Sequence, residues 1–384
     1  MAEKSKPTRL DLSGQSLDAI VAQVNQKYGV NTLVRADKAN ATRQRWVSTG
    51  VYALDFAMGG GIPLNRITEF RGPESSLKST VTHFTEGNFL SDFPKDGLVI
   101  HADVEKSYDQ SYANRIIGAN TSRLAVMNPD SGEQCVDVLA DLLSLDRDVL
   151  FAVDSIAAIT PSSEMEESAD QQTMALQARL INKMMRIVVA RMKRDMYDPG
   201  APTTTILCIN QLREKVGVVY GNPETTPGGR GKDFAYSLKV RISSTPSQKI
   251  VEKVVRNGVE RKIGFGQEVN FSVSKNKCFG GQHEEGSFEF YKRPYKGYPA
   301  MAFDNAAALL KFGIYHGVIS SQQGHMKYGH LSFKSEPHFL KGLVEDSDLS
   351  RGLYLEVMDA IREDDSGRAN TPSKSITLKV RKTQ

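Results

Sequence analysis

A chain of 384 residues, 40% hydrophobic and 24% charged, has room for one large core with attachments, or for two to three domains of about 100–200 residues. Its net charge of +4 is compatible with a polyanionic partner without requiring one. Three widely spaced cysteines, Cys135, Cys208 and Cys278, exclude a disulfide framework or a zinc spacing and fit a reducing interior. The polar start MAEKSKPTRLDLSGQS lacks an apolar signal core, and no apolar run nears the roughly 18 residues that span a membrane. A cytoplasmic protein with no membrane partner is expected, in the host's cytoplasm if the chain is viral.

Leu17, Ile20, Val21 and Val24 recur at helical spacing and predict a short helix ahead of the basic linker RADKANATRQRW. From Val47 strands and helices alternate. RITEFRG reads as a strand, STVTHFTEGNFLSDF as a helix, and GLVIHADVE and RLAVMN as strands. GEQCVDVLADLLSL is a helix with Cys135, Val138, Leu139, Leu142 and Leu143 on one face. DVLFAVDS is a strand, TMALQARLINKMMRIVVARMKRD a long helix, and TTTILCINQ a strand again. SLKVRIS is a later strand, and Asn257-Gly258 marks a two-residue hairpin turn. Continuous apolar strands alternating with helices predict an α/β fold around a buried, mostly parallel sheet. Helices return from about Ala302, in FDNAAALLKFGIYHGVI and SRGLYLEVMDAIRE, and predict a small C-terminal domain. From Arg368 the chain holds five basic side chains and no acidic one, which predicts a mobile tail.

Within this pattern GPESSLKST places Gly72, Lys78 and Ser79 in register with the phosphate loop G-x-x-x-x-G-K-[ST], with Leu77 at the second glycine. Such a loop, here Gly72, Pro73, Glu74, Ser75, Ser76, Leu77, Lys78, Ser79 and Thr80, points backbone N–H groups at phosphate oxygens beside the positive end of a helix. Lys78 would reach the β- and γ-phosphates, and the Ser79 hydroxyl would sit on Mg²⁺. Position 77 acts through its backbone, which leucine shares, and a left-handed conformation costs a non-glycine about 1–2 kcal/mol. The plain alternative is a chance strand–turn–helix junction. Asp154, ending an apolar strand, is either a Walker B carboxylate that orients Mg²⁺ or a strand-end cap. Glu105, just past another strand, is a general base for water or a solvated loop residue. Gln211 ends a third strand and suits a γ-phosphate sensor, or is a polar strand end. Parallel strands bring their carboxyl ends to one edge, so the four together indicate an ATPase.

STGVYALDFAMGGGIP, GPESSLKST, PDSGEQ, VDSIAAITP and INQLREKVGVVYGNPETTPGG resemble the RecA family of bacterial and phage recombinases, from about Val21 to Lys277 and more loosely to about Glu363. NPETTPGG and INQLR are far more specific than any Walker motif. The resemblance implies an N-terminal polymerisation segment (1–46), a RecA-like P-loop ATPase core (47–290), a small α/β C-terminal domain (291–365) and a basic flexible tail (366–384). It implies a DNA-dependent ATPase that uses ATP and Mg²⁺, forms helical filaments on single-stranded DNA, and catalyses homologous pairing and strand exchange with double-stranded DNA.

Residue roles follow from the same resemblance. Lys78 and Ser79 match nucleotide-binding positions, Glu105 the catalytic glutamate, Asp154 the Walker B acid and Gln211 the γ-phosphate switch. Tyr112 matches the aromatic that stacks on adenine, with Asp109 beside the base. Lys275 and Lys277 match lysines that reach the neighbouring protomer's ATP; flanking one strand residue, they share a face, though such lysines often only face solvent. The DNA loops map to SSEMEESADQQTM and Leu212–Gly231, implying contacts from Met174, Arg213, Lys215, Val216, Gly228, Gly229 and Arg230. Arg179 and Arg186, seven apart on the long helix, match further phosphate contacts. Such contacts bind DNA without reading its sequence. The chain departs from the family at Leu77, at Asp233 and Ala235, and in a tail that is basic where bacterial relatives are acidic. A ring-forming helicase would lack NPETTPGG, and a non-hydrolysing DNA scaffold would release no phosphate on single-stranded DNA.

Overall fold

The computed structural model describes residues 9–29, 32–35, 37, 44–163, 174–192, 201–214, 224–229, 231–279 and 284–367. Helix α1 (Leu17–Tyr28) starts where the Ser16 hydroxyl accepts from the Ala19 N–H. None of its residues is buried, and Leu17 is 56% exposed, so its apolar stripe lies outside the chain's own core. Helix α2 (Tyr52–Met58) has the opposite character and buries six of its seven residues.

Six strands form the parallel part of the central sheet: β1 (Ile67–Gly72), β2 (Leu98–Asp103), β3 (Leu124–Met127), β4 (Val149–Asp154), β5 (Thr204–Gln211) and β6 (Leu238–Ser243). They lie side by side in the order β6-β1-β5-β4-β2-β3. Every residue of β4 is buried, as a sheet covered on both faces requires. Alternate residues feed opposite layers: Phe70, Leu150 and Leu207 join one core, and Ile67, Phe151 and Ile206 the other. Helix α3 (Lys78–Asp92) and α4 (Gln110–Ile117) supply the first layer. Helix α5 (Gly132–Leu142) and α6 (Met174–Arg191) supply the second. On α5, Cys135 and Leu139 are buried, with Leu143 just beyond it, while Val138 and Leu142 are only half-buried and Val136 is buried instead. The helix is wedged between the sheet and α6, which widens and turns its buried arc.

Beyond β6 the sheet turns antiparallel. The short α7 (Gly231–Ala235) precedes β6, and after β6 the hairpin of β7 (Lys249–Arg256) and β8 (Val259–Asn276) turns at Asn257 (φ 52°) and Gly258 (φ 76°), the two positive φ values of a tight two-residue turn. The latter part of β8 pairs with β6 and with β9 (Glu285–Tyr291), and Ala302–Phe303 adds the edge strand β10.

The C-terminal part holds α8 (Asn305–Tyr315), α9 (Glu336–Glu345) and α10 (Ser347–Gly367). It also contains a small antiparallel sheet of Ser320–Gln322, His325–Tyr328 and Leu331–Phe333, which sequence periodicity does not predict. Its strands are short and largely exposed, so no apolar alternation marks them. Helices α8 and α10 dock on α2: the Phe56 ring lies 4.8 Å from Phe312 and 5.6 Å from Tyr354, and Tyr52 lies 4.4 Å from Tyr354. One apolar cluster therefore runs from the nucleotide-side layer into the C-terminal helices. Among the described residues no helix is long and apolar enough to cross a membrane. The basic tail lies outside the described residues.

Phe56→Ala should lower conformational stability by about 3–5 kcal/mol, the usual result of emptying a packed aromatic site. Urea unfolding measures it. A loss below about 1 kcal/mol would mean that the C-terminal helices do not share this core.

Candidate nucleotide site and DNA-facing residues

Strand β1 ends at Gly72, where an added Cβ would collide with the Ile242 carbonyl oxygen. The chain then turns through Ser75 (φ 58°) and Leu77 (φ 67°, ψ 16°), both left-handed, and enters α3 at Lys78. Left-handed residues alternating with ordinary ones turn successive amides inward and make an anion-binding concavity at a helix N-terminus. Leu77 thus holds the conformation a glycine would take, and its half-buried side chain packs against the apolar core. Ser76 Oγ donates to Pro73 O at 2.8 Å. Lys78 Nζ donates to Gly72 O at 3.0 Å and Pro73 O at 2.6 Å and lies 3.4 Å from Ser76 Oγ. Burial pulls the Lys78 pKa down, while the carboxylates of Asp154, Glu105 and Glu74 oppose the shift. The loop therefore presents one cation and a ring of amides, a fit for a polyphosphate.

The next three strand ends complete the edge. Ser79 Oγ donates to Asp154 Oδ2 at 2.6 Å. Burial raises the Asp154 pKa, and the Ser79 bond partly offsets it. Paired hydroxyl and carboxylate oxygens are the hard donors that magnesium prefers. Gln211 Nε2 donates to Glu105 Oε1 at 2.8 Å, reaching over the end of β4. Ser155 Oγ donates to the same oxygen. Backbone bonds from Val104 N (2.8 Å) and Glu105 N (3.2 Å) to Asp154 O tie these two strand ends together. Ser155 has no motif signature, because a serine after a strand-end aspartate carries no distinguishing spacing.

Tyr112 on α4 sits against the first turn of α3, its hydroxyl 2.8 Å from Thr80 Oγ1. Asp109 caps α4 by accepting from the Tyr112 N–H at 3.0 Å, so its carboxylate orients the helix that carries the tyrosine.

Lys275 and Lys277 stand elsewhere. Strand β8 runs antiparallel to β6, and its last residue, Asn276, pairs with Leu238, the first of β6, at the end of the sheet away from Gly72. Lys277 lies one residue past the strand, its N–H bonded to Ser237 O at 2.8 Å. Lys275 Nζ donates to Asp233 O at 2.5 Å, and burial together with the neighbouring Lys277 and Lys239 lowers its pKa. The structure does not bring either lysine to its own chain's loop.

Of the residues expected to contact DNA, Lys215, Val216 and Arg230 lie outside the described residues, as do 164–173 of the first loop. Met174 opens α6. Arg213 is exposed beside a short ladder in which Arg213–Glu214 pairs with Glu224–Thr225 and closes the base of the second loop. Gly228 (φ 94°) and Gly229 (φ 69°) form its far side, both left-handed. Arg179 and Arg186 are exposed on one face of α6 and border a groove with Phe234, itself 82% exposed. Lys232 escapes sequence reasoning: a lysine is expected in solvent, yet this one is 1% exposed. Its Nζ donates to Thr226 Oγ1 at 2.8 Å and Gly229 O at 3.2 Å, fastening the loop's base.

The RecA N-terminal domain family matches residues 15–279. Protein RecA of Leptospira meyeri is 34% identical over 280 residues, 72% of this chain and 67% of its own length. Protein RecA of Mesomycoplasma hyopneumoniae is 34% identical over 263 residues, 68% of this chain and 72% of its own. Protein RecA of Caulobacter vibrioides is 34% identical over 251 residues, 65% of this chain and 67% of its own. The chain belongs to the RecA family and is a nucleotide-binding, DNA-dependent ATPase of homologous recombination.

Proposed function

We propose that ATP is the nucleotide, held with Mg²⁺ on the loop from Gly72 to Thr80, and that turnover accompanies growth of helical filaments on single-stranded DNA. The bond between Gln211 and Glu105, set beside Ser79, Asp154 and Lys78, carries this reading. Lys78 and the loop amides bind the phosphates. Ser79 and Asp154 would hold the metal, which when bound would supply positive charge against the phosphates. Tyr112 stacks on the base, with Asp109 setting the start of its helix. Glu105 accepts the proton of the attacking water, the role of a general base. Both of its bonds fall on Oε1, which leaves Oε2 for that water. The Gln211 amide has a second place to donate, the γ-phosphate; turning there releases Glu105. Gln211 therefore reports on the nucleotide by exchanging partners.

DNA is taken up without sequence reading by Arg179, Arg186, Arg213 and the second loop, with Met174, Lys215, Val216, Gly228, Gly229 and Arg230. Double-stranded DNA is the second partner, and the basic segment 366–384 favours its capture. Residues 1–46 serve assembly: the unburied apolar stripe of α1 suits a neighbouring protomer. Residues 47–290 form the ATPase core and 291–365 a C-terminal domain. The cytoplasm, a host's if the chain is viral, is the compartment.

Leu77→Gly should keep nucleotide binding and DNA-stimulated turnover within about tenfold, or ~1.4 kcal/mol. Complete loss of binding would show that the leucine side chain itself shapes the loop. Glu105→Gln keeps an oxygen for Gln211 and Ser155 but removes the base. Phosphate release should fall by ~10²-fold or more while nucleotide affinity holds, and unchanged turnover would transfer the role to another group. Lys275 and Lys277 lie off their own chain's site and are assigned to the neighbour's. Mixing Lys275→Ala with Lys78→Ala protein should therefore restore activity above either variant alone. Mixtures shown to co-assemble yet remain inactive would return the lysines to their own chain.

A further inference from the structure

Behind the nucleotide edge, between α3 and β2, lie three side chains that the ATPase reading leaves without a task. Glu86 is wholly buried, His83 is 5% exposed and His101 2%. Glu86 Oε2 lies 2.8 Å from His83 Nδ1, and Oε1 lies 2.7 Å from His101 Nδ1. His83 and Glu86 stand one turn apart on α3, and His101 comes from the neighbouring strand, so one helix and one strand aim three metal-ligating groups at a single point. One ligand atom from each lies within 4.8 Å of the other two.

We infer that His83, Glu86 and His101 form a second metal site, for a borderline divalent transition ion of the zinc class, distinct from the magnesium that serves the nucleotide. Two imidazole nitrogens and one carboxylate are a donor set suited to zinc, cobalt or nickel, whereas magnesium takes oxygen. Bonds of about 2.0–2.2 Å in tetrahedral geometry place ligand atoms about 3.4 Å apart. The two histidines now meet different oxygens of the one carboxylate at 2.8 and 2.7 Å, and the three ligand atoms lie within 4.8 Å of one another, so seating an ion asks the short contacts to open by roughly 0.6–0.7 Å and the wider gap to close toward the same value. An ion here would staple the helix that opens at the phosphate loop to the strand that leads to Glu105. It would also stiffen Tyr112, whose ring lies 6.3 Å from that of His83 in an edge contact.

The test uses the full chain, stripped with a chelator and titrated with cobalt(II) in the absence of nucleotide. One cobalt per chain should bind with the intense visible bands of a nitrogen-ligated, low-coordinate ion. Zinc should displace it and excess magnesium should not. Glu86→Gln and His101→Phe should weaken binding by about a hundredfold or more, since changes that only touch a ligand's support already cost 10–100-fold. Asp154→Asn should leave the bands in place. A wild-type chain that shows only the weak spectrum of aqueous cobalt overturns the site, and so do bands that survive both triad variants or vanish with Asp154→Asn. If the triad variants do not fold, X-ray absorption at the zinc edge decides on the wild-type chain. Two imidazole ligands sustain the assignment, and an all-oxygen shell overturns it in favour of a buried ion-pair network.

Discussion

Strand polarity is the constraint on which the nucleotide site rests. β1, β2, β4 and β5 all run one way, so Gly72, Asp103, Asp154 and Gln211 leave the sheet on one edge, with Gly72 opposite Gln211 and Asp103 opposite Asp154. Adjacent strands stand about 4.7–4.9 Å apart, so four of them span about 14 Å. Groups up to 139 positions apart, Gly72 and Gln211, become neighbours without any loop having to travel. The antiparallel strands cannot contribute to that edge in the same way. β8 delivers Lys275 to the opposite end, so the same polarity that builds the site keeps these lysines away from it.

Magnitudes explain why leucine survives at the position where a phosphate loop favours glycine. Its φ of 67° costs about 1–2 kcal/mol. Burying a whole leucine side chain contributes about 1.5–3 kcal/mol, and half-burial roughly half as much. The two terms nearly cancel, so the site keeps its amide geometry at little cost to stability. Gly72 has no such escape. The Ile242 carbonyl occupies the place of its missing Cβ, and a side chain there would have to push one sheet strand off its neighbour.

Much of this is legible in the sequence, because apolar runs and helical periods are local. The order of strands and helices from Ile67 to Ser243, and the hairpin turn at Asn257-Gly258, follow from patterns a few residues long. What escaped depends on contacts that no local pattern encodes. The C-terminal three-stranded sheet is too short and too exposed to alternate. Ser155 meets Glu105 only because β2 lies alongside β4. Lys232 is buried by a loop that closes over it from six residues upstream. His83 and Glu86 stand at helical spacing, but their meeting with His101 requires α3 to lie on β2. For Lys275 and Lys277 the resemblance to the RecA family implies a role in an assembled filament, which spacing along one chain does not encode.

The edge proposed to hold the nucleotide is also joined, through the interior of the sheet, to the base of the loop after Leu212 that is proposed to bind DNA. Asn210, one residue before Gln211, donates from Nδ2 to the wholly buried Glu69 of β1 at 2.9 Å. Lys239 Nζ stands 3.5 Å from that carboxylate and 2.7 Å from Asp233 Oδ1. Lys232, beside Asp233, holds Thr226 and Gly229. Partly compensated charges in a low-dielectric interior are costly to separate, so these side chains hold their geometry tightly. A rigid chain of contacts transmits nothing unless one end has two arrangements. Gln211 is that end, with a carboxylate to bind in one arrangement and, in the proposed mechanism, a phosphate in the other. The proposed exchange falls on the residue next to Asn210, so the strand proposed to sense the nucleotide is also anchored in the network that fixes where the proposed DNA loop begins.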